Sequence, residues 1–304
     1  MRSILIMEKI REILFLEKLN MFSKRAINHD ILQALGDLSG YEEVTAYLYR
    51  QLTPLREEEI RRAEEAAEEH LERLMGLTDV TALTPFDPAY PEKLMDLGDS
   101  KPLILYQKGN AAILGIEGIS VVGTRSPAPE TVRAEEKFIR QLCEKTDMLV
   151  ISGLALGCDS IAHRETLRLG GKTAAVLPSG FNKITPRENE GLADEIVMGG
   201  GLLVSEYAPW EEAKRYTFAE RDGVIAALGM RLVVAACRKE SGTMITVREA
   251  EKMGRRIGCL IPDRWDEPGF ELEYEGNRFL VNEMKKEKIE DVGDILRFLY
   301  LNFR

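Results

Sequence analysis

A chain of 304 residues, of which 44% are hydrophobic, is long enough for about two domains with a substantial core. Its formal net charge of −10 argues against a protein coated in nucleic acid, and no apolar run approaches the ~20 residues that a membrane-spanning helix needs. Residues 111–260 contain equal numbers of basic and acidic residues, so the net negative charge lies in the rest of the chain. A neutral segment of this kind can still carry a local basic groove.

The first 77 residues are predicted to form a small helical module. Residues 1–20 have the spacing of an amphipathic helix and lack the uncharged centre of a signal peptide. Residues 22–75 continue at helical spacing, with glycine breaks and a strongly acidic helix over 55–75. The acidic run is typical of a solvated helix face. The module could bind a partner or cap the domain that follows.

Residues 78–285 are predicted to form the main domain. Four prolines in its lead-in segment, residues 78–110, exclude a long helix there. From residue 118 onward, apolar runs alternate with helical patterns, and several runs end in a glycine-rich turn. This alternation predicts an α/β fold, an extended Rossmann-like, doubly wound and mostly parallel sheet. Its six strands are predicted at residues 119–122, 148–151, 173–177, 202–204, 231–236 and 256–261.

The last segment, residues 286–304, is predicted to be a C-terminal helix. Its amphipathic pattern covers residues 290–303, with apolar residues on one side. The helix is expected to pack on the body of the protein or on a partner. The four cysteines are widely spaced, without metal-site spacing, and indicate reduced thiols in a cytoplasmic protein.

Glycine and hydroxyl residues follow several predicted strands and suggest that phosphate binds at one edge of the sheet. Glycine permits tight turns and close approach of a ligand, and helix N-termini present N–H groups to anions. An arginine can also donate two hydrogen bonds to phosphate. The alternatives are an arginine paired with a core carboxylate and hydroxyls that only cap a helix. The candidates are Gly123, Thr124, Arg125, Ser152, Gly153, Ser241, Gly242 and Thr243.

A second group of candidates combines cations with an aromatic residue. Lys214 and Arg215 precede Phe218, and Arg221 follows within the same predicted helix. A phenylalanine beside basic residues can stack on a base while the cations contact phosphates. The alternative is a core phenylalanine with solvated cations.

Asp159 and His163 lie four residues apart, on one face of a predicted helix. They could form an acid–base pair, but no nucleophile accompanies them, so a structural hydrogen bond is the expected role. Asp159 is also expected to be the N-cap of that helix.

The sequence predicts neither a cofactor nor a metal site. It contains no Walker-type lysine loop and no spaced cluster of histidine and cysteine. The glycine spacing of a dinucleotide-binding turn, with its downstream acidic residue, is also absent.

Six motifs occur in a characteristic order: VVGTR, ISGLALGCDSIAHRETLRLGGKTAAVLPSGF, PREN, GLLVSEYAP, FAER and ESGTMITVREAEKMGRRIGCLIP. This series resembles the DNA-processing protein A family (DprA, also called Smf), from about Leu83 to Asn282. The resemblance implies an N-terminal SAM-like helical module and a Rossmann-like core. It also implies a protein that binds single-stranded DNA without base preference, catalyses no reaction, and delivers DNA to the RecA recombinase during natural transformation, usually as a homodimer. The DNA-contacting positions of the family fall on Arg125, Arg187 and Arg221.

The chain departs from the family pattern at several positions. The RNR motif is Arg221-Asp222-Gly223 here, and the aromatic of the YP-x-EN motif is replaced by Thr185. Two other functions stay open: a nucleotide-binding sensor, and a nucleotide phosphoribohydrolase of the lysine-decarboxylase-like (LOG) type. The second is disfavoured because position 246 is threonine, where that enzyme motif has glutamate.

Overall fold

The structure is a computed structural model, and it divides the chain into two compact units, Met1–Gln107 and Lys108–Arg304. The residues that the structure describes are 2–21, 23–38, 40–51, 56–262, 265, 267 and 269–300.

The first unit is mainly helical. Its longest helices, α1 and α5, pack against each other, and Phe15 of α1 and Leu71 of α5 are both buried. A π-helical stretch, Ile27–Ile31, joins α2 to α3, and a 3₁₀ segment covers Glu92–Ser100. The predicted acidic helix begins at Glu57, and its predicted first residue, Leu55, lies outside the described residues. The regular elements are α1 (Arg2–Leu19), α2 (Lys24–Ala26), α3 (Leu32–Leu35), α4 (Gly40–Gln51), α5 (Glu57–Met75), β1 (Val80–Leu83) and β2 (Leu105–Gly109), of which the last two residues belong to the second unit.

The second unit contains seven strands of one sheet, and all six neighbouring pairs among them are parallel. Their spatial order is β6-β5-β4-β3-β7-β8-β9. The chain first builds outward from β3 in one direction and then returns to build in the other, which is the doubly wound topology. The predicted fold class is therefore confirmed. The strands are β3 (Gly118–Val122), β4 (Leu149–Ser152), β5 (Thr173–Leu177), β6 (Leu202–Ser205), β7 (Arg231–Val234), β8 (Arg256–Leu260) and β9 (Glu287–Ile289).

Helices cover the sheet of the second unit, and every residue of β3 to β7 is buried. Burial on both faces explains why these strands are continuous apolar runs instead of alternating patterns. None of the described helices is long and apolar enough to cross a bilayer. The helices are α6 (Pro129–Lys145), α7 (Cys158–Arg168), α8 (Glu190–Met198), α9 (Thr217–Leu228), α10 (Thr243–Lys252), α11 (Glu275–Asn282) and α12 (Val292–Tyr300).

The prediction that the sixth core strand closes the sheet is wrong. A further strand, β9, pairs with β8 through Gly258↔Glu287 and Leu260↔Ile289. Its three residues include a glutamate and a lysine, so they carry no apolar run that sequence reasoning could detect. The C-terminal helix packs on the body: Phe298 of α12 belongs to the same core cluster as Phe138 of α6. The predicted end of this helix, residues 301–303, lies outside the described residues.

A buried amide joins the ends of two strands in this unit. Asn277, in α11, is fully buried and accepts a hydrogen bond from the Cys237 N–H through Oδ1, at 2.9 Å. Its Nδ2 donates to the carbonyl oxygens of Ala235 and Leu260, each at 3.2 Å. One side chain therefore satisfies backbone groups just after β7 and at the end of β8, where the sheet ends and loops begin.

We expect Asn277→Ala to lower the free energy of unfolding by about 2 kcal/mol or more, because buried backbone groups would lose their partners. Urea denaturation measures this change. Asn282→Ala is the matched control, since Asn282 ends the same helix with an exposed side chain, and its effect should stay within about 0.5 kcal/mol. Equal unfolding midpoints for the two variants would contradict the role of Asn277.

Candidate nucleic-acid interface

The carboxyl ends of three adjacent strands meet at the point where the sheet reverses its winding direction. The loops after β3, β4 and β7, with the beginnings of α9 and α10, surround a cavity of about 480 Å³, here called the strand-end cleft. Ligands of doubly wound sheets bind at such a switch point. Nine predicted site residues line this cleft: Gly123, Thr124, Arg125, Arg215, Phe218, Arg221, Ser241, Gly242 and Thr243.

The loop after β3 is held by backbone hydrogen bonds on both sides. The Thr124 N–H donates to Ala236 at 2.8 Å, and the Thr124 carbonyl accepts from the Cys158 N–H at 3.1 Å. Gly157 has a φ of +75°, and a Cβ there would lie 2.4 Å from the Thr124 oxygen. Only glycine fits this turn without strain. The loop therefore presents the exposed Arg125 side chain from a fixed backbone.

The loop after β7 contributes the beginning of α10. Ser241 Oγ donates to the Arg238 carbonyl at 2.8 Å, and Thr243 Oγ1 donates to the Gly123 carbonyl at 3.3 Å. These hydroxyls fix the loop to itself and to the neighbouring loop. Gly242 occupies the N-cap position of α10 and has no side chain to cap the helix. The positive end of the α10 dipole therefore lies in the cleft lining.

The mouth of the cleft carries exposed cations next to an aromatic ring. Arg125, Arg215 and Arg238 are exposed and line the cleft. The Phe218 ring is half-buried, and the Arg125 Cζ atom lies 5.9 Å from its centroid. Phe218 is thus a lining residue and not a core residue. Arg238 follows β7 as Arg125 follows β3, and this parallel could have identified Arg238 from the sequence.

Arg221 is buried, whereas an arginine that contacts phosphate at the surface has to be exposed. It is only 5% exposed and forms part of the inner wall. Its Nη1 donates to the carbonyl oxygens of Gly153 and Val176, the latter at 3.4 Å. Its Nε lies 2.9 Å from Asp222 Oδ1. A Cβ on residue 153 would lie 1.8 Å from Nη1, so glycine is required there for the guanidinium to approach.

Two carboxyl groups accompany this arginine inside the cleft. Asp159 is 6% exposed, and its Oδ2 accepts hydrogen bonds from the N–H groups of Gly153 and Ala155, at 3.1 and 3.3 Å. Burial raises the pKa of Asp159 above its usual range. Burial also raises the pKa of Asp222 to about 6, with nearby Asp159 adding to the rise, while Arg221 and Arg125 oppose it. The floor of the cleft therefore presents carboxylate groups, and Asp222 gains its proton just below neutral pH.

The predicted pairing of Asp159 with His163 is wrong. The His163 Nδ1 instead lies 2.7 Å from Thr173 Oγ1, deep under the sheet, and the side chain is fully buried. Burial lowers the pKa of His163 to about 3, so the ring is neutral near pH 7. Asp159 is not the N-cap either, since Gly157 precedes α7 there and Asp159 lies in the first turn. Instead of capping α7, Asp159 accepts hydrogen bonds from the loop that precedes the helix.

Four predicted site residues do not line the cleft. Ser152 is fully buried and donates to the Val121 carbonyl at 2.7 Å, because its side chain faces the neighbouring strand. Gly153 contributes through its backbone bonds to Asp159 and Arg221. The Arg187 side chain is 90% exposed, 3.9 Å from Glu190. Lys214 is exposed, with its Nζ 5.9 Å from the Tyr216 ring centroid.

The part of the chain that the structure describes contains no cluster of side chains that could hold a metal ion. No group of three or more histidine, cysteine, aspartate or glutamate side chains is placed there to hold an ion. The donor set of the cleft consists of guanidinium groups, hydroxyls and backbone N–H groups, which is the chemistry of an anion site.

Comparison with curated sequences finds relatives that carry the same two names. The chain is 35% identical to the DNA processing protein DprA of Streptococcus pneumoniae over 174 residues, which are 57% of this chain and 60% of that protein. It is 36% identical to the protein Smf of Synechocystis over 182 residues, 59% of this chain and 45% of that protein. The matched regions thus span about half to three fifths of the length of these relatives.

Comparison with solved structures extends the similarity to nearly the whole chain. The X-ray structure of DprA from Streptococcus pneumoniae superposes with a TM-score of 0.79 at 25% identity, over 97% of this chain and 99% of that one. A structure of DNA processing protein A from Helicobacter pylori, described for its single-stranded DNA binding mode, superposes with a TM-score of 0.61 at 25% identity, over 72% of this chain and 95% of that one.

A family model described as DNA recombination-mediator protein A matches residues 81–300. This range contains all the motifs of the predicted resemblance and the whole strand-end cleft. The chain therefore belongs to the DNA recombination-mediator protein A family, which confirms the predicted resemblance to DprA and Smf.

Proposed function

We propose that this protein binds single-stranded DNA at the strand-end cleft and delivers it to the RecA recombinase during DNA uptake. The observation that carries the proposal is the combination of exposed arginines with an accessible aromatic ring at the mouth of the cleft. Guanidinium groups contact phosphates, and a ring face stacks on any base. Such contacts favour single strands, whose bases are free to stack.

The partners follow from the family and from relatives. The family description is that of a recombination mediator, and one structural neighbour is described for its mode of binding single-stranded DNA. A mediator requires a recombinase, and we assign RecA to that role. We also propose that the protein acts in the cytoplasm as a homodimer.

We further propose that the protein catalyses no reaction on the DNA it binds. The cleft lacks the groups of a nucleotide hydrolase at the corresponding helix, because position 246 is a threonine that is only 1% exposed. The single histidine of residues 108–304, His163, is buried and hydrogen-bonded to Thr173.

Incubation with AMP is expected to release no free adenine, because the cleft has no carboxylate at position 246 to assist cleavage of the glycosidic bond. Chromatographic separation of base and nucleotide measures this. Adenine release that disappears in a Thr243→Ala variant would contradict the proposal and favour the phosphoribohydrolase.

Arg125→Ala is expected to weaken binding of a fluorescent oligo-dT by at least about tenfold at low salt, since ~1.4 kcal/mol is within reach of one charged phosphate contact. Fluorescence anisotropy across a salt series measures affinity and slope together. Each lost phosphate contact should flatten the salt slope by about 0.7.

Arg297→Ala is the matched control for this experiment. It removes the same charge from an exposed side chain of α12 that pairs with Asp294 and does not line the cleft. Its affinity should equal that of the wild type. Equal weakening in both variants would mean that only net charge matters, and unchanged binding in a folded Arg125→Ala variant would remove the cleft from the DNA path.

Binding of oligo-dT is expected to tighten as pH falls from 7.5 to 5.5. The pKa of Asp222 is about 6, so its carboxyl is mostly charged at the higher pH and mostly neutral at the lower one. Loss of one negative charge about 6 Å from a phosphate strengthens binding about threefold at low salt. Arg221, Asp159 and Arg125 are the charged groups around this carboxyl.

The Asp222→Asn variant isolates this effect. It should bind oligo-dT at pH 7.5 about as tightly as the wild type does at pH 5.5, and it should show a smaller change with pH. The same pH dependence in both proteins would assign the effect to other groups.

A further inference from the structure

Charge changes sign with depth in the strand-end cleft. Arg125, Arg215 and Arg238 are exposed at the mouth. The carboxyl groups of Asp159 and Asp222 lie inside, where the Asp159 residue is 6% exposed and the Asp222 side chain 13%. A phosphate is attracted to the mouth and repelled from the floor. An uncharged group with hydrogen-bond donors therefore fits the interior better than a phosphate does.

Asp222 is the more exposed of the two carboxylates and has accepting capacity left for such a group. Asp159 Oδ2 already accepts two backbone N–H groups, from Gly153 and Ala155. Asp222 Oδ1 lies beside the Arg221 Nε, and its Oδ2 has no hydrogen bond within the described part of the chain. A carboxylate offers about four lone-pair sites and no donor, so Asp222 can accept from a ligand while it stays paired with Arg221.

A nucleotide has the same polarity as the cleft. Its phosphate is anionic and its base is neutral, with a flat face and hydrogen-bond donors along one edge. Phe218, half-buried in the lining, offers a ring for the base to stack on. The volume of about 480 Å³ lies within the range of small-molecule pockets, about 300–1,000 Å³.

We infer that Asp222 makes the cleft prefer guanine when a base of the bound strand enters it. This inference rests on the proposed binding of single-stranded DNA. Guanine presents two adjacent donors, N1–H and the N2 amino group, to one carboxylate. Thymine presents a single N3–H donor between two carbonyl oxygens, which a carboxylate repels. The cleft thus reads one base by its Watson–Crick edge while the arginines hold the backbone.

The ligand series that tests this consists of three thymine 12-mers. One carries a central guanine, one carries hypoxanthine at the same place, and one is thymine throughout. Hypoxanthine lacks only the N2 amino group, and a single purine per strand excludes folded guanine structures. At pH 7.5 the guanine strand should bind about fivefold or more tightly than the thymine strand, with hypoxanthine between them.

Two protein variants test whether Asp222 causes the preference for guanine. In Asp222→Asn the amide replaces one acceptor with a donor, so the guanine and thymine strands should bind within about twofold of each other. Asp194→Asn is the matched control, because Asp194 is an exposed carboxyl of α8 outside the cleft. This control should keep the full preference of the wild type.

The outcomes separate this inference from the function on which it rests. Equal affinity of the folded wild type for all three strands overturns the base preference and leaves single-strand binding intact. A guanine preference that persists in Asp222→Asn overturns the role of Asp222. Failure to bind any of the three strands overturns the proposed function itself.

Discussion

The buried guanidinium of Arg221 holds together the elements that form the strand-end cleft. Removing a charged group from water costs several kcal/mol, so it is stable only with fixed partners. Here the partners are the Gly153 carbonyl after β4, the Val176 carbonyl in β5 and the carboxylate of Asp222 in α9. Gly153 also donates its N–H to Asp159, so the loop after β4 is fixed from both sides. The charge thereby links two strands and two helices at the edge where the ligand is expected.

This arrangement explains why the cleft is basic outside and acidic inside. Arg221 requires a counter-charge, and Asp222 supplies it from the next position of the same helix. In the proposed binding mode, a carboxylate so placed repels phosphate from the interior, and the exposed arginines contact the phosphates. The floor is then available to the neutral part of a nucleotide. Under this proposal, the same ion pair stabilises the fold and selects the ligand.

The sequence was sufficient to predict six parallel strands of the sheet and the edge at which the candidate cleft lies. Buried strands of a parallel sheet are continuous apolar runs, and glycines mark their carboxyl ends, so both signals are local. Strand β9 was missed because its residues, Glu287 to Ile289, are recruited by pairing with β8 and not by their own preference. Helical spacing placed Asp159 and His163 on one face, but spacing does not reveal what lies opposite each side chain. The loop after β4 faces Asp159, and Thr173 faces His163.

The same limit applies to the arginines. Arg125, Arg187 and Arg221 are indistinguishable as sequence signals of a phosphate contact, yet their exposure differs from 5% for Arg221 to 90% for the Arg187 side chain. Only tertiary packing decides which guanidinium is available to a ligand and which is used by the fold. Neighbouring residues give a partial signal, because Asp222 next to Arg221 offers that arginine a partner, whereas Arg125 follows a glycine and a threonine.

An acidic protein can bind a polyanion if its basic residues lie nearer to the polyanion than most of its acidic residues do. The net charge of −10 lies outside residues 111–260, whereas the cleft and its arginines lie within them. At physiological salt, interactions beyond about 8 Å are largely screened, so a strand bound in the proposed mode would interact mainly with residues at the mouth of the cleft, such as Arg125, Arg215 and Arg238. At low salt the net negative charge of the chain would repel the strand as well and partly offset the gain from the arginines. The salt slope expected for this binding mode therefore combines counterion release at the cleft with screening of that repulsion, and it should be shallower than the number of contacted phosphates alone would give.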